Sequence, residues 1–130
     1  MRRMHNMFDI KKCEKIAIPQ GAFYLGPSDE KKSVGYVELN PRTSLEIHNR
    51  PTAIENLTQV KGRCCMIVFY PDGTKTIELE TEDRIRIEPK GTWHIHANPF
   101  DRPSLTYWET EGDIRHIIEA IRNAAHFGKK

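Results

Sequence analysis

The sequence predicts an all-β fold, a sandwich or barrel completed by one C-terminal helix. Three observations carry this expectation. Apolar and polar residues alternate with a period of two over most of the chain, Pro and Gly turn signals cut that alternation into short runs, and one 3.6-period segment stands near the end. With 130 residues, the chain falls below the roughly 250 at which single cores stop growing, so one domain is expected. Its composition, 38% hydrophobic and 29% charged, is that of a folded chain and not a disordered one.

The elements follow in order. Residues 1–33 read as an arm that adds an edge strand around Ala22 to Leu25. From Val34 to Leu39, and again from Leu45 to Arg50, the pattern is that of half-buried strands, with Pro41 and Arg42 between them. Asn56 to Val60 leads into Gly62, and Cys64 to Tyr70 is a continuous apolar run of strand length. Pro71-Asp72-Gly73 then forms a turn, because Pro presets φ and Gly tolerates φ above zero. Thr76 to Leu79 returns as the second arm of a hairpin. Arg84 to Ile87 alternates strictly and stops at Pro89-Lys90-Gly91. Trp93 to Ala97 and Ser104 to Thr110 complete a barrel core spanning 34–110, split by Asn98-Pro99. The helix, 113–127, opens on Asp113 as N-cap. It repeats Ile114, Ile117, Ile118, Ile121, Ala124 and Ala125 on one face, and Gly128 is placed to end it. That stripe is expected to lie over the barrel or over a partner subunit.

Charge and cysteine usage narrow the function classes. Twenty Lys and Arg against 18 Asp and Glu leave +2, too even for nucleic acid as the main partner. The surplus sits near the ends, in Arg2-Arg3, Lys11-Lys12, Lys15 and Lys129-Lys130, where such charges serve solubility. No apolar run reaches the ~18 residues of a membrane span, and the first residues lack the apolar core of a signal peptide, so a cytoplasmic protein is expected. Cys64 and Cys65 are strand neighbours that point to opposite faces, poor disulfide partners, and fit buried thiols in a reducing compartment.

The histidines carry the chemistry. His5, His116 and His126 read as solvated surface. His48, His94 and His96 differ, because each shares a strand face with further polar residues: Glu46, His48 and Arg50 on one strand, and His94, His96 and Asn98 on another. If both faces point into a barrel, imidazoles converge there, with Glu55 joining from the next strand. Two His and a carboxylate with open positions suit non-haem iron, manganese, nickel or zinc. The aromatic residues Trp93, Phe100, Tyr107 and Trp108 are pocket candidates on one reading and core on the other. No Ser/His/Asp arrangement, phosphate-cradling glycine loop or dinucleotide fingerprint is visible.

In this order and spacing the residues resemble the cupin superfamily. Its second motif reads G-x5-P-x-G-x2-H-x3-N, and Pro89, Gly91, His94 and Asn98 fall in that register, with Asp83 at the leading Gly. Its first motif reads G-x5-H-x-H-x3,4-E-x6-G, which His48, Glu55 and Gly62 fit. The resemblance runs from Gly35 to about Tyr107 and implies a double-stranded β-helix, the jelly-roll barrel. It also implies one divalent metal at the wide end, with His48, Glu55 and His94 at ligand positions, turns at Gly62 and Gly91, and a structural role for Asn98. Besides Asp83, two positions of the first motif depart: Arg42 replaces the leading Gly, and Arg50 replaces the second His. A guanidinium keeps its proton and cannot ligate.

Two outcomes are open. In one, His96 supplies the missing nitrogen beside His48, Glu55 and His94, while Arg50 clamps an anionic substrate, with Glu46 as a further substrate-binding or rim residue. In the other, Arg50 pairs with Glu55 and replaces the metal. The first predicts a metal-dependent enzyme acting on a small anionic metabolite by dioxygenase-, isomerase- or decarboxylase-like chemistry. The second predicts a metal-free binding or sensing module. A purely structural barrel is disfavoured by the inward polar residues. A homodimer is expected, since barrel edges are exposed.

Overall fold

The structure is a computed structural model describing residues 7–128, with side chains through Ala124; His5, the side chain of His126 and the terminal pairs Arg2-Arg3 and Lys129-Lys130 lie outside the described residues. Ten strands and one helix follow a short 3-10 turn at Ile10–Lys12: β1 (Glu14–Ile18), β2 (Gly21–Ser28), β3 (Lys32–Leu39), β4 (Thr43–Ser44), β5 (Ala53–Lys61), β6 (Cys64–Tyr70), β7 (Gly73–Leu79), β8 (Arg84–Ile87), β9 (Trp93–Asn98), β10 (Ser104–Gly112) and α1 (Arg115–Gly128). They form two antiparallel sheets, one ordered β1-β2-β3-β10-β5-β8 and the other β4-β9-β6-β7. The all-β jelly-roll expectation is met, and β6 and β8 carry the bounds read from the sequence.

Alternation decides what fills the space between the sheets. Along β5, Ala53, Glu55, Leu57 and Gln59 are buried and their neighbours are not; β6 buries Cys64, Met66 and Val68 in the same way. Leu39, Cys64, Met66 and Val68 are fully enclosed and join Leu25, Val37, Leu57, Leu79, Ile87 and Trp108 in one core. Truncating one of the larger of these to Ala costs about 2–5 kcal/mol. The hairpin at Pro71-Asp72 pairs Tyr70 with Gly73, as the turn chemistry requires.

The N-terminal arm covers the outer face of the larger sheet. Met7, Phe8, Ile10 and Cys13 pack on Val34, Tyr36 and Tyr107, and the Tyr36 hydroxyl donates to the Phe8 carbonyl at 2.5 Å. The strand expected at Ala22 to Leu25 is part of β2, but it is not an edge: β1, which the sequence pattern does not separate, pairs outside it and takes the edge position.

Helix α1 closes the opposite, wider end. Asp113 caps it by accepting the Arg115 N–H at 3.1 Å. Ile114 and Ile118 are buried in the main core with Ile117 packed against it, so the apolar stripe lies on the barrel itself. Arg122 fastens the helix to β1 through Glu14 at 2.8–2.9 Å. His116 is exposed, as expected.

One expected strand is corrected. Residues 45–50 do not form a continuous strand: β4 ends at Ser44, and only His48 makes a further bridge, to His94. Leu45 donates to the His96 carbonyl at 2.9 Å, whereas His48 exchanges both backbone bonds with His94 at 3.0 and 2.9 Å. Three steps on one chain thus match two on the other, the count of a β-bulge. The extra residue reverses parity, so Leu45 and His48 both line the interior.

Candidate metal centre

Three elements meet at the wide end. β9 sends His94 and His96 inward, β5 sends Glu55, and the bulge before His48 turns that ring inward beside them. One donor atom each from His48, Glu55 and His94 lies within 4.8 Å of the others. The His48 and His94 rings meet edge to face at 4.4 Å between centroids.

Each imidazole is held by a backbone carbonyl. His48 Nδ1 lies 2.9 Å from the Glu46 carbonyl, and His94 Nδ1 lies 3.1 Å from that of Thr92. A carbonyl only accepts, so these contacts assign the proton to Nδ1 and leave the Nε2 lone pairs free. Carbonyl-held imidazoles of this kind are the usual outer support of metal-ligating histidines. Burial, then the Arg50 charge, then His94, push the His48 pKa down to about 3. Burial, then His94, bring His96 down to about 4. Both rings are therefore neutral near pH 7, the state that ligates.

The donor set fits a divalent cation. His94 Nε2 stands 3.2 Å from Glu55 Oε2, an ion pair when both ring nitrogens carry protons and two ligand atoms facing one cation when the ring is neutral. Two imidazoles and one carboxylate supply the donor types that Fe, Mn, Ni or Zn prefers.

The other expected site residues are placed differently. His96 is buried, but its Nε2 is engaged with Thr106 Oγ1 at 3.3 Å. Thr106 gives its only hydroxyl proton to Gln59 Oε1 at 2.7 Å, so His96 Nε2 is the donor and that nitrogen has no free lone pair. His96 thus belongs to a polar layer deeper in the barrel with Gln59, Ser104 and Cys64. Glu46 does not share the inward face of His48: the bulge leaves it exposed at the rim of an outer groove. Arg50 is half-buried and lines the cavity, where Nη1 donates to the Asn49 carbonyl at 3.2 Å. Burial lowers its pKa and the Glu55 charge opposes that, yet no ion pair joins Arg50 to a carboxylate among the described residues. Glu55 pairs with His94 and not with Arg50.

A cavity of about 30 Å³ lies over these groups, roofed by Ile114, Ile117, Ile118 and Ile121 of α1. One water needs ~10–15 Å³, so the space suits an ion with a water or a small headgroup. Beside it, a wider groove of about 290 Å³ runs outward along α1 and shares His48 and Arg50 with it. Trp108 also lines the cavity. Its Nε1 is buried and has no acceptor among the described residues, a condition that costs about 1–3 kcal/mol when nothing else fills the need. Gly35 makes room for this indole, since a Cβ there would sit 2.4 Å from Trp108 Cζ2. The sequence reading named Trp108 only among four aromatic residues. Its parity with Thr106 and Thr110 on β10 was the signal that set it apart from Tyr107, which faces the outer arm.

No family profile matches the sequence. Among solved structures, the chain is similar to oxalate decarboxylase of Bacillus subtilis, a protein with Mn(II) centres, at a TM-score of 0.70 and 22% identity, covering 82% of this chain and 29% of that one. It is likewise similar to the Lactobacillus farciminis oxalate decarboxylase solved as a formate complex, at 0.72 and 21%, covering 82% and 33%. The fold is a cupin barrel. At this identity the likeness concerns the fold, and the chain spans only about a third of either decarboxylase. A sequence match to ATP synthase subunit alpha 1 of Photobacterium profundum has 29% identity over 111 residues, 80% of this chain and 21% of that subunit. The chain spans about a fifth of that relative, and this match does not fix a family.

Asn98, Gly62 and Gly91 hold turns around the site. The Asn98 amide donates to the carbonyls of Leu39, Asn40 and Arg102 at 2.8–3.2 Å and accepts the Phe100 N–H at 3.1 Å. Gly62 and Gly91 adopt φ of +67 and +84, a region that favours Gly. Arg42, where the first motif has Gly, is held at φ +59, so the left-handed turn persists without the residue that makes it easy. Of the other aromatic residues, Trp93 is 49% exposed and Phe100 stacks under Arg63.

Proposed function

We propose that this chain is a metal-binding cupin that acts on a small, polar, anionic metabolite, holding one divalent transition-metal ion through His48, Glu55 and His94. The observation that carries the reading is the convergence of two imidazole nitrogens and a buried carboxylate oxygen within 4.8 Å of one another, each imidazole held at Nδ1 by a backbone carbonyl. The Mn(II) centres and bound formate of the two decarboxylases that share the fold are consistent with a metal and a carboxylate substrate. When bound, such an ion supplies Lewis-acid or oxygen-activating chemistry.

The chain's own groups do the rest. Arg50, charged and without a carboxylate partner, binds and orients the anion at the junction of cavity and groove. The isoleucines of α1 exclude water from the donors, which strengthens every charge interaction inside. His96 backs the site from the deeper polar layer, and Glu46 holds the His48 ring through its carbonyl while its carboxylate stays at the rim. The homodimer belongs to this proposal, since β1, β8, β4 and β7 leave sheet edges open; light scattering tests it.

A second reading is favoured by one observation: Arg50 offers an unneutralised cation in the cavity whether or not a metal is present. On that reading the barrel is a metal-free binder of small anions. Elemental analysis of untagged protein separates the two. The proposal expects close to one transition-metal ion per chain, falling at least tenfold in His48→Ala and in Glu55→Gln. Metal-free protein that stays so after reconstitution rejects it in favour of the binder.

A further inference from the structure

We infer that the cavity beneath α1 receives an amphipathic monocarboxylate, its carboxylate held between the Arg50 guanidinium and the Trp108 indole N–H and its aliphatic body lying along the outer groove. This rests on the reading of the site as one for small anions and narrows that reading to a chemical class.

Two residues that line one cavity carry hydrogen-bond donors without the acceptors they require. Trp108 Nε1 is buried and unpartnered, and the Arg50 guanidinium is half-buried with only a neighbouring carbonyl on Nη1. The indole N–H donates and never accepts, and the guanidinium carries only donors. Their shared ligand must therefore present acceptor oxygens and a negative charge. A hydrocarbon leaves both donors unmade, and a neutral alcohol leaves the guanidinium charge unanswered.

The walls decide the remainder of the molecule. The cavity, at about 30 Å³, admits a headgroup and no chain. The groove that continues from it, about 290 Å³, is faced by Phe23, Leu45, Ile47, Ile117, Ala120 and Ile121. Ile47 is 50% exposed there, an apolar surface that an aliphatic chain would cover. A dianion would carry its second charge onto this lining, whose further charged group among the described residues is the Glu46 carboxylate.

The chain has two tryptophans, so indole N–H resonances report binding with a built-in control: Trp108 faces the cavity and Trp93 is exposed on β9. Hexanoate, 1-hexanol and formate are titrated into chelator-treated protein and into protein loaded with diamagnetic Zn(II). The expected result is a saturable downfield shift of the Trp108 indole proton with hexanoate and none at Trp93. Formate should bind at least about tenfold more weakly for want of the chain. Arg50→Met should weaken hexanoate about tenfold or more, and Trp108→Phe several-fold. Arg50→Met, at the cavity mouth, serves as the decisive variant if Trp108→Phe loses its dispersed spectrum.

Equal shifts with 1-hexanol and hexanoate, or a Trp108 resonance unmoved by hexanoate in folded protein, overturn the inference. Stoichiometric Zn(II) binding with an unresponsive Trp108 removes this inference and leaves the metal reading standing. Hexanoate binding in a protein that never takes metal does the reverse.

Discussion

The fate of single side chains here is decided by what their neighbours accept. His94 and His48 give their Nδ1 protons to carbonyls and so keep Nε2 for the site, whereas His96 spends its Nε2 proton on Thr106. Spacing alone made His96 equivalent to His94. Only the hydroxyl chain from Thr106 to Gln59 tells them apart, and no sequence signal encodes it. Cys64 lies in the same layer, its thiol on Gln59 Oε1 at 3.1 Å, and burial pushes its pKa from 9.0 up to about 12. Between those values the unfolded chain binds fewer protons than the folded one. Stability therefore falls as pH rises through that window, by up to ~1.4 kcal/mol per unit for one such group. Urea melts from pH 8 to 11 should show Cys64→Ala losing less stability across that range than the parent chain. An equal decline in both would mean that the thiol is not held as described.

At the scale of elements, legibility follows how much local chemistry fixes each one. β6 and β8 are bounded by turn residues and could be read to the residue. β1 was missed because three of its five residues are exposed, which leaves little apolar alternation to detect. The 45–50 segment misled because a period-two argument assumes an unbroken ladder, and one extra residue carried Glu46 out and Leu45 in. The stripe of α1 was plain, but the face it covers was not; contact with the metal-centre cavity emerges only from the fold. Arg122 ties that helix to Glu14 of β1 and also pairs with Glu119 one turn back in the same helix, surface contacts worth about 0.2–1 kcal/mol. Arg122→Ala should accordingly speed the release of bound metal to a chelator by a few-fold while leaving the circular dichroism spectrum unchanged. Unaltered release kinetics would show that α1 does not gate the site.

For the molecule as a whole, the barrel has a filled interior and one chemically distinct end. Leucines, Val, Met and Cys fill the space toward the sheets' middle. The polar inward residues gather where β9, β5 and the bulged segment come together under α1. Asn98 ties the carbonyls of two segments, Leu39-Asn40 and Arg102, into that frame, while Glu55 and His94 sit on strands and His48 on the bulged stretch bridged to His94. A metal that binds only the folded chain stabilises it by about 2.7 kcal/mol at a free concentration one hundred times its Kd. The central claim, that His48, Glu55 and His94 are ligands, is tested most directly by anomalous diffraction from crystals grown with Mn(II). The account predicts one strong peak about 2.0–2.3 Å from the Nε2 atoms of His48 and His94 and from a Glu55 oxygen, with Arg50 and His96 outside the first sphere. An absent peak, or one centred on other residues, would contradict it.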